Sequence, residues 1–156
     1  MPPLTIASAP NLIGTELALT DWLPVTQDMV DGFATATLDP DWMHVDVERS
    51  RRESPFGGTI VQGFLMSSLV IYFCHKHGIT PADAAYGLNY GIDRARYLTP
   101  VLTGSRVRDR IVLTDFRERG AGRYLMKTSH TFEVEGADKP GAVIDWLVLY
   151  YRGLDY

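Results

Sequence analysis

An α+β fold, in which a long antiparallel sheet wraps one hydrophobic helix, is predicted for this chain of 156 residues by the contrast between its two halves. In the first half apolar residues recur at helical spacing, and residues 64–77 are apolar on nearly every side, as a helix buried from all directions must be. In the second half the period drops to two. Tyr124, Met126, Thr128, His130, Phe132 and Val134 alternate with Leu125, Lys127, Ser129, Thr131 and Glu133, the pattern of a strand with distinct faces. A sheet curved around the helix is the arrangement that buries such a helix within one domain. With 46% hydrophobic residues the chain is long enough for one domain with a sizeable core and too short for two ordinary ones. The predicted domain is residues 1–156, with the Pro-rich residues 1–12 as a loose N-terminal segment.

Along the chain, Thr26 can cap a first helix that carries Gln27 and Asp28 in its first turn, with Met29, Val30, Phe33, Ala34 and Thr37 at helical spacing. That helix delivers Asp39 at its end. Residues 49–58 are polar and turn-forming, so loop or irregular helix is expected there, overhanging the site. The central helix ends at Gly78, with His75, Lys76 and His77 in its last turn, where cations suit the dipole. Strands are expected over about 86–92, 105–116, 123–135 and 142–151. The Gly-containing turns at 120–122 and 136–141 divide the last three, and such short loops favour antiparallel pairing.

Composition excludes several function classes. A formal charge of -4 and a pI near 5.5 give no basic face for nucleic acid or an anionic membrane. Cys74 is the only cysteine, so no intrachain disulfide can form and a reducing cytoplasm is the expected compartment; in its apolar surroundings it makes a poor nucleophile. The N-terminus lacks the basic region of a signal peptide, and the longest apolar run, residues 63–74, is too short to span a bilayer, so a soluble protein is expected. His75 and His77 diverge by about 200° on a helix and cannot chelate one metal together. No metal site is predicted.

The chemistry concentrates between Phe33 and Leu69. Asp39 and His44 can converge on one water molecule if the chain bends between them, and Pro40 supplies a bend. Gly63 falls at a helix start, where free N–H donors and the positive dipole end can polarise a carbonyl. A base, an acid and an oxyanion donor are therefore available. Each has a plainer reading: Asp39 as a helix cap with Pro40 in the first turn, His44 as a packed histidine, and Gly63 as relief of close packing.

This segment resembles the MaoC-like family of (R)-specific enoyl-CoA hydratases and dehydratases, within it the nodulation-protein-N-like branch. The family motif has a glycine before an aspartate, a histidine shortly after it, and a His-Gly pair opening a helix about eighteen residues later; Asp39, His44 and Gly63 match it. Leu38 stands where Gly is usual, and Gln62 stands where the second His is usual. The likeness extends through Trp22 to Asp28 and through Asn89 to Arg96, with Pro100 and Val101, and so covers most of the chain.

The resemblance implies a hotdog fold and a hydro-lyase that adds water to a 2-enoyl thioester or removes it from a 3-hydroxyacyl thioester, without metal or redox cofactor. Asp39 would be the base, His44 its partner and acid, and Gly63 the oxyanion donor. Gln62 can hydrogen-bond and orient but cannot transfer protons near neutral pH, and Ser68 lies where it could touch substrate. Arg49, Arg51 and Arg52 suit the phosphates of coenzyme A; Arg106, Arg108 and Arg110 form a second candidate patch or merely the exposed side of a sheet. The resemblance also implies a homodimer joined at sheet edges, with the acyl chain of a coenzyme A or acyl-carrier thioester near the subunit boundary. Two other readings stay open: a hotdog acyl-CoA thioesterase, which more often uses a lone carboxylate, and a non-catalytic acyl-CoA-binding protein.

Overall fold

Thr26 starts the helical half, its Oγ1 accepting the Met29 N–H at 3.4 Å. The computed structural model describes residues 3–154. Helix α1 (Gln27–Thr37) ends on Leu38, whose left-handed φ of 59° turns the chain out of the helix. Glycine takes this conformation freely, whereas a side chain there costs about 1–2 kcal/mol. The glycine usual at this motif position therefore has a backbone reason. Leu38 is 87% exposed, so Leu38→Gly removes strain without opening a cavity. After the extra backbone entropy of glycine, a gain of about 0.5–1 kcal/mol is expected in urea unfolding, and a loss would contradict the strain argument.

Two short helices follow, each with its own aspartate cap. Asp41 accepts the Met43 N–H at 2.9 Å to open α2 (Trp42–Val45), and Asp46 accepts the Arg49 N–H at 2.9 Å to open α3 (Val47–Glu53). The cap is thus Asp41, leaving Asp39 outside any helix. After the turn at 55–58 the chain enters α4 (Gly63–Lys76), which buries Leu65, Met66, Leu69, Val70, Phe73 and Cys74.

The sheet comprises β1 (Glu16–Leu19), β2 (Leu23–Pro24), β3 (Tyr86–Tyr97), β4 (Arg106–Glu118), β5 (Arg123–Val134) and β6 (Ala142–Tyr151). Its order is β1-β4-β5-β6-β3, with β2 beside β4, and every pairing is antiparallel. The inner face meets α4 in one apolar core, where the rings of Phe73 and Phe132 pack edge to face at 5.9 Å. β3 runs five residues past its expected end. Register shifts between Asn89 and Gly91 and between Ile92 and Arg94 break the alternation by which a strand is read from sequence.

The described part of the N-terminal segment, residues 3–12, is not loose. Leu4, Ile6 and Ala9 belong to the core, Ile6 N–H donates to Asp83 Oδ1 at 2.7 Å, and Ala82 N–H donates to the Leu4 carbonyl at 2.8 Å. Apolar side chains placed between the prolines supply enough burial to hold it; Met1 and Pro2 lie outside the described residues. Among the described residues no helix is long and apolar enough to cross a membrane.

Candidate active site

His44 lies in the last turn of α2, and its ring is held from the loop that precedes α4. The Ile60 carbonyl can only accept, so the 2.7 Å contact requires His44 Nδ1 to donate, which leaves Nε2 as the free ring nitrogen in the neutral form. The backbone is fixed as well. Ile60 N–H donates to the Met43 carbonyl at 2.9 Å, and Gln27 Nε2 donates to the His44 carbonyl at 2.8 Å while its Oε1 accepts from Thr59 at 2.7 Å. Gln27 thus locks α1, the histidine turn and the 59–61 segment together. Its sequence position does not mark this role, because the two partners that make the lock lie 17 and 32 residues away, and only Asp31 is local.

A cleft of about 240 Å³ opens beside this ring, lined by His44, Gly63, Met66, Tyr97 and Pro100 among others. Gly63 is the first residue of α4, and no side chain caps that helix, so the N–H groups of its first turn remain available as donors. Histidine and helix start therefore face one space. Gly63 is held by more than its donor: a Cβ built there would lie 2.8 Å from the ring of Tyr97. Gly63→Ala is expected to cost about 1–3 kcal/mol through overpacking, and the loss should largely vanish in a Tyr97→Ala background, as paired thermal melts would show.

The other candidates are placed as follows. Asp39 is exposed, makes no side-chain hydrogen bond among the described residues, and is not part of the cleft lining. Gln62 is 3% exposed, and its Nε2 donates to the Val30 carbonyl at 3.1 Å, tethering the start of α4 to α1 rather than lining the cleft. Ser68 is exposed and donates to the Phe64 carbonyl at 2.9 Å, one turn back, on the wall of a separate apolar groove of about 600 Å³ between α4 and β3. Its neighbour Ser67 is buried and shares a 2.7 Å hydrogen bond with the Tyr97 hydroxyl. Tyr97 escapes a sequence reading because it ends the irregular part of β3.

Two arginines of α3 are engaged within their own helix: Arg49 pairs with Glu53 at 2.7 Å and stacks on Trp42, and Arg51 pairs with Glu48 at 2.8 Å. Arg52 is exposed and has no such partner among the described residues. Arg106, Arg108 and Arg110 form an ion-pair ladder with Glu135, Glu133 and Glu16 on the outer sheet face, which leaves little net positive field there. Burial pushes the Cys74 thiol up, with the nearby Asp109 adding to the shift, so it stays protonated.

The model of the MaoC-like domain matches residues 8–134. Nodulation protein N of Rhizobium leguminosarum bv. viciae is 41% identical over 149 residues, covering 96% of this chain and 92% of that protein. The 3-hydroxyacyl-thioester dehydratase Z of Mycobacterium tuberculosis is 36% identical over 146 residues, covering 94% of this chain and 95% of that protein. Among solved structures, a monoamine oxidase regulatory protein from Archaeoglobus superposes with a TM-score of 0.80 at 19% identity, covering 97% of this chain and 96% of that one. An (R)-hydratase from A. caviae involved in PHA biosynthesis gives 0.71 at 18% identity, covering 87% and 94%. At these identities the structural matches establish the hotdog fold alone.

Proposed function

Because this chain belongs to the MaoC-like dehydratase family, we propose that it is a hydro-lyase acting on 2-enoyl and 3-hydroxyacyl thioesters. The observation that carries the proposal is the shared cleft of His44 and Gly63, with His44 Nδ1 tied to the Ile60 carbonyl and Nε2 left free. The thioester carbonyl would accept the Gly63 N–H. As water oxygen attacks Cβ, a base removes its proton, the electron pair of the double bond moves toward the carbonyl, and an acid returns a proton to Cα. Charge builds on the carbonyl oxygen, where a preorganised N–H is worth about 3–4 kcal/mol. We assign Asp39, which stands exposed outside the cleft lining, as the base and His44 as its partner and acid on one water; with Nδ1 donating to Ile60, the proton given to Cα leaves from Nε2, so the acting acid is the doubly protonated ring. Addition of water changes no oxidation state overall, and the proposed steps call for no cofactor beyond the thioester's own carrier.

The two departures from the family motif do not favour a non-catalytic protein. Leu38 acts on the backbone from an exposed position, and Gln62 tethers two helices away from the cleft. Incubation with crotonyl-CoA tests the proposal: loss of the enoyl absorbance supports it, release of free thiol would instead identify a thioesterase, and binding without turnover a carrier.

The working molecule is proposed to be a cytoplasmic homodimer that takes coenzyme A thioesters of fatty acid metabolism, with Arg52 free to meet a phosphate. β3 is an edge strand, and Leu88, Tyr90 and Ile92 on it are 46%, 56% and 46% exposed, a surface that unpaired edges rarely present. Light scattering after size exclusion should give about twice the chain mass of 17.4 kDa at micromolar concentration, and a monomer active after dilution would contradict the dimeric site.

A further inference from the structure

We propose that Tyr97 is a specificity-determining wall between the His44 cleft and the apolar groove along α4, and that it confines the enzyme to short acyl chains. The inference rests on the hydro-lyase reading above. Three contacts place the wall. The Tyr97 ring lines the cleft and covers Gly63, so close that no Cβ fits between them. Its hydroxyl is latched to buried Ser67 at 2.7 Å, and its edge meets the Phe64 ring at a centroid distance of 6.2 Å. Ser67 and Phe64 both line the groove, with Phe33, Ile71, Ile92 and Trp146. One side chain thus has its ring on the cleft and its hydroxyl bonded to a residue that lines the groove.

The volumes give the wall a consequence. The cleft of about 240 Å³ holds roughly eight water-sized volumes, enough for a short acyl group beside the carbonyl. The groove adds about 600 Å³ of largely apolar space, which an acyl chain anchored at the Gly63 donor would enter from the cleft past Tyr97. Tyr97 is 44% exposed, so its truncation joins the two spaces without emptying the core. The edge contact with Phe64 and the close packing on Gly63 hold the ring across the gap, with the Ser67 hydrogen bond as an added tether, while the glycine removes the side chain that would push the ring aside.

The test compares wild type with Tyr97→Ala, Tyr97→Leu and Tyr97→Phe, using crotonyl-CoA and trans-2-decenoyl-CoA for turnover, and butyryl-CoA and decanoyl-CoA for calorimetric binding. Wild type should favour the short chain. Tyr97→Ala should shift the ratio of kcat/KM toward the ten-carbon substrate by about tenfold or more, chiefly through KM, and tighten decanoyl-CoA relative to butyryl-CoA to a similar extent. Tyr97→Leu, the fallback if the alanine variant folds poorly, should shift both ratios at least about threefold in the same direction. Tyr97→Phe keeps the ring, so its two chain-length ratios should stay within about threefold of the wild-type ratios. A purely structural role would depress both substrates alike. Unchanged ratios in the alanine and leucine variants, or no acyl-CoA binding by any form, would overturn the wall. Absence of turnover with chain-selective binding that follows the predicted order would overturn the hydro-lyase reading and keep the wall.

Discussion

His44→Ala is expected to lower kcat for crotonyl-CoA hydration by about 10²–10⁴-fold while leaving the fold and thioester binding in place, the usual worth of a positioned proton-transfer group. His44 is half-buried, and only one ring bond, to the Ile60 carbonyl, is lost with it. The backbone bonds that hold the turn, from Gln27 and Ile60, do not involve the ring, so the cleft keeps its shape. Asp39→Asn should lose activity over the same range with a smaller structural effect, since the carboxylate has no hydrogen bond to break among the described residues. Steady-state kinetics with thermal melts checks both. A His44→Ala enzyme within about threefold of wild-type kcat would remove the histidine from the chemistry.

The second large effect lies in the core. Asp109, His130 and Thr128 form a chain within the sheet: His130 Nδ1 meets Asp109 Oδ2 at 2.6 Å, and His130 Nε2 meets Thr128 Oγ1 at 2.8 Å. Asp109 and His130 are 0% exposed and Thr128 is 1% exposed, with Trp146 edge-on to the imidazole at 6.0 Å. Asp109→Ala leaves His130 Nδ1 without its partner in a fully buried site and should cost about 1–3 kcal/mol in urea unfolding, the penalty of a buried polar group left unsatisfied. The cost should depend on pH. Burial pushes the Asp109 carboxyl above its ordinary value of 3.8, against the lowering pull of the His130 hydrogen bond and charge and of the His77 charge. A carboxyl raised in the folded state contributes stability below its unfolded value and loses it as pH rises through the folded one. The gap between wild type and Asp109→Ala should therefore be widest at and below the ordinary carboxyl value of 3.8 and narrow as pH rises above it. A gap that widens with rising pH would mean that the ionised pair, not the neutral acid, is the stable form.

How far the sequence could be read follows from where each element draws its stability. α1 and α4 were legible because Thr26 caps one and the other is apolar on nearly all sides, both local signals. β5 and β6 were legible because the turns that join them are short and glycine-bearing and β5 alternates. β1 and β2 hold four and two residues and exist only by pairing with β4, so no local pattern announces them. Residues 3–12 carry no local signal of order for the same reason, since they are held by partners such as Asp83, 77 residues from Ile6. At the site, the residue types at 39, 44 and 63 could be read as base, acid and donor. The orientation of His44 could not, since it depends on Ile60 and Gln27. Tyr97 was hidden because register shifts disguise the end of β3, although glycine at 63 is the signal that a large group lies close by.

The central claim, that Asp39 and His44 act on one water beside the Gly63 donor, is tested most directly by a double-mutant cycle of Asp39→Asn and His44→Ala in crotonyl-CoA hydration. Groups that serve a single proton-transfer event are strongly non-additive, so the double variant should lose little more than the worse single variant. Losses that multiply across the cycle would show two groups acting independently, and would contradict the shared-water site.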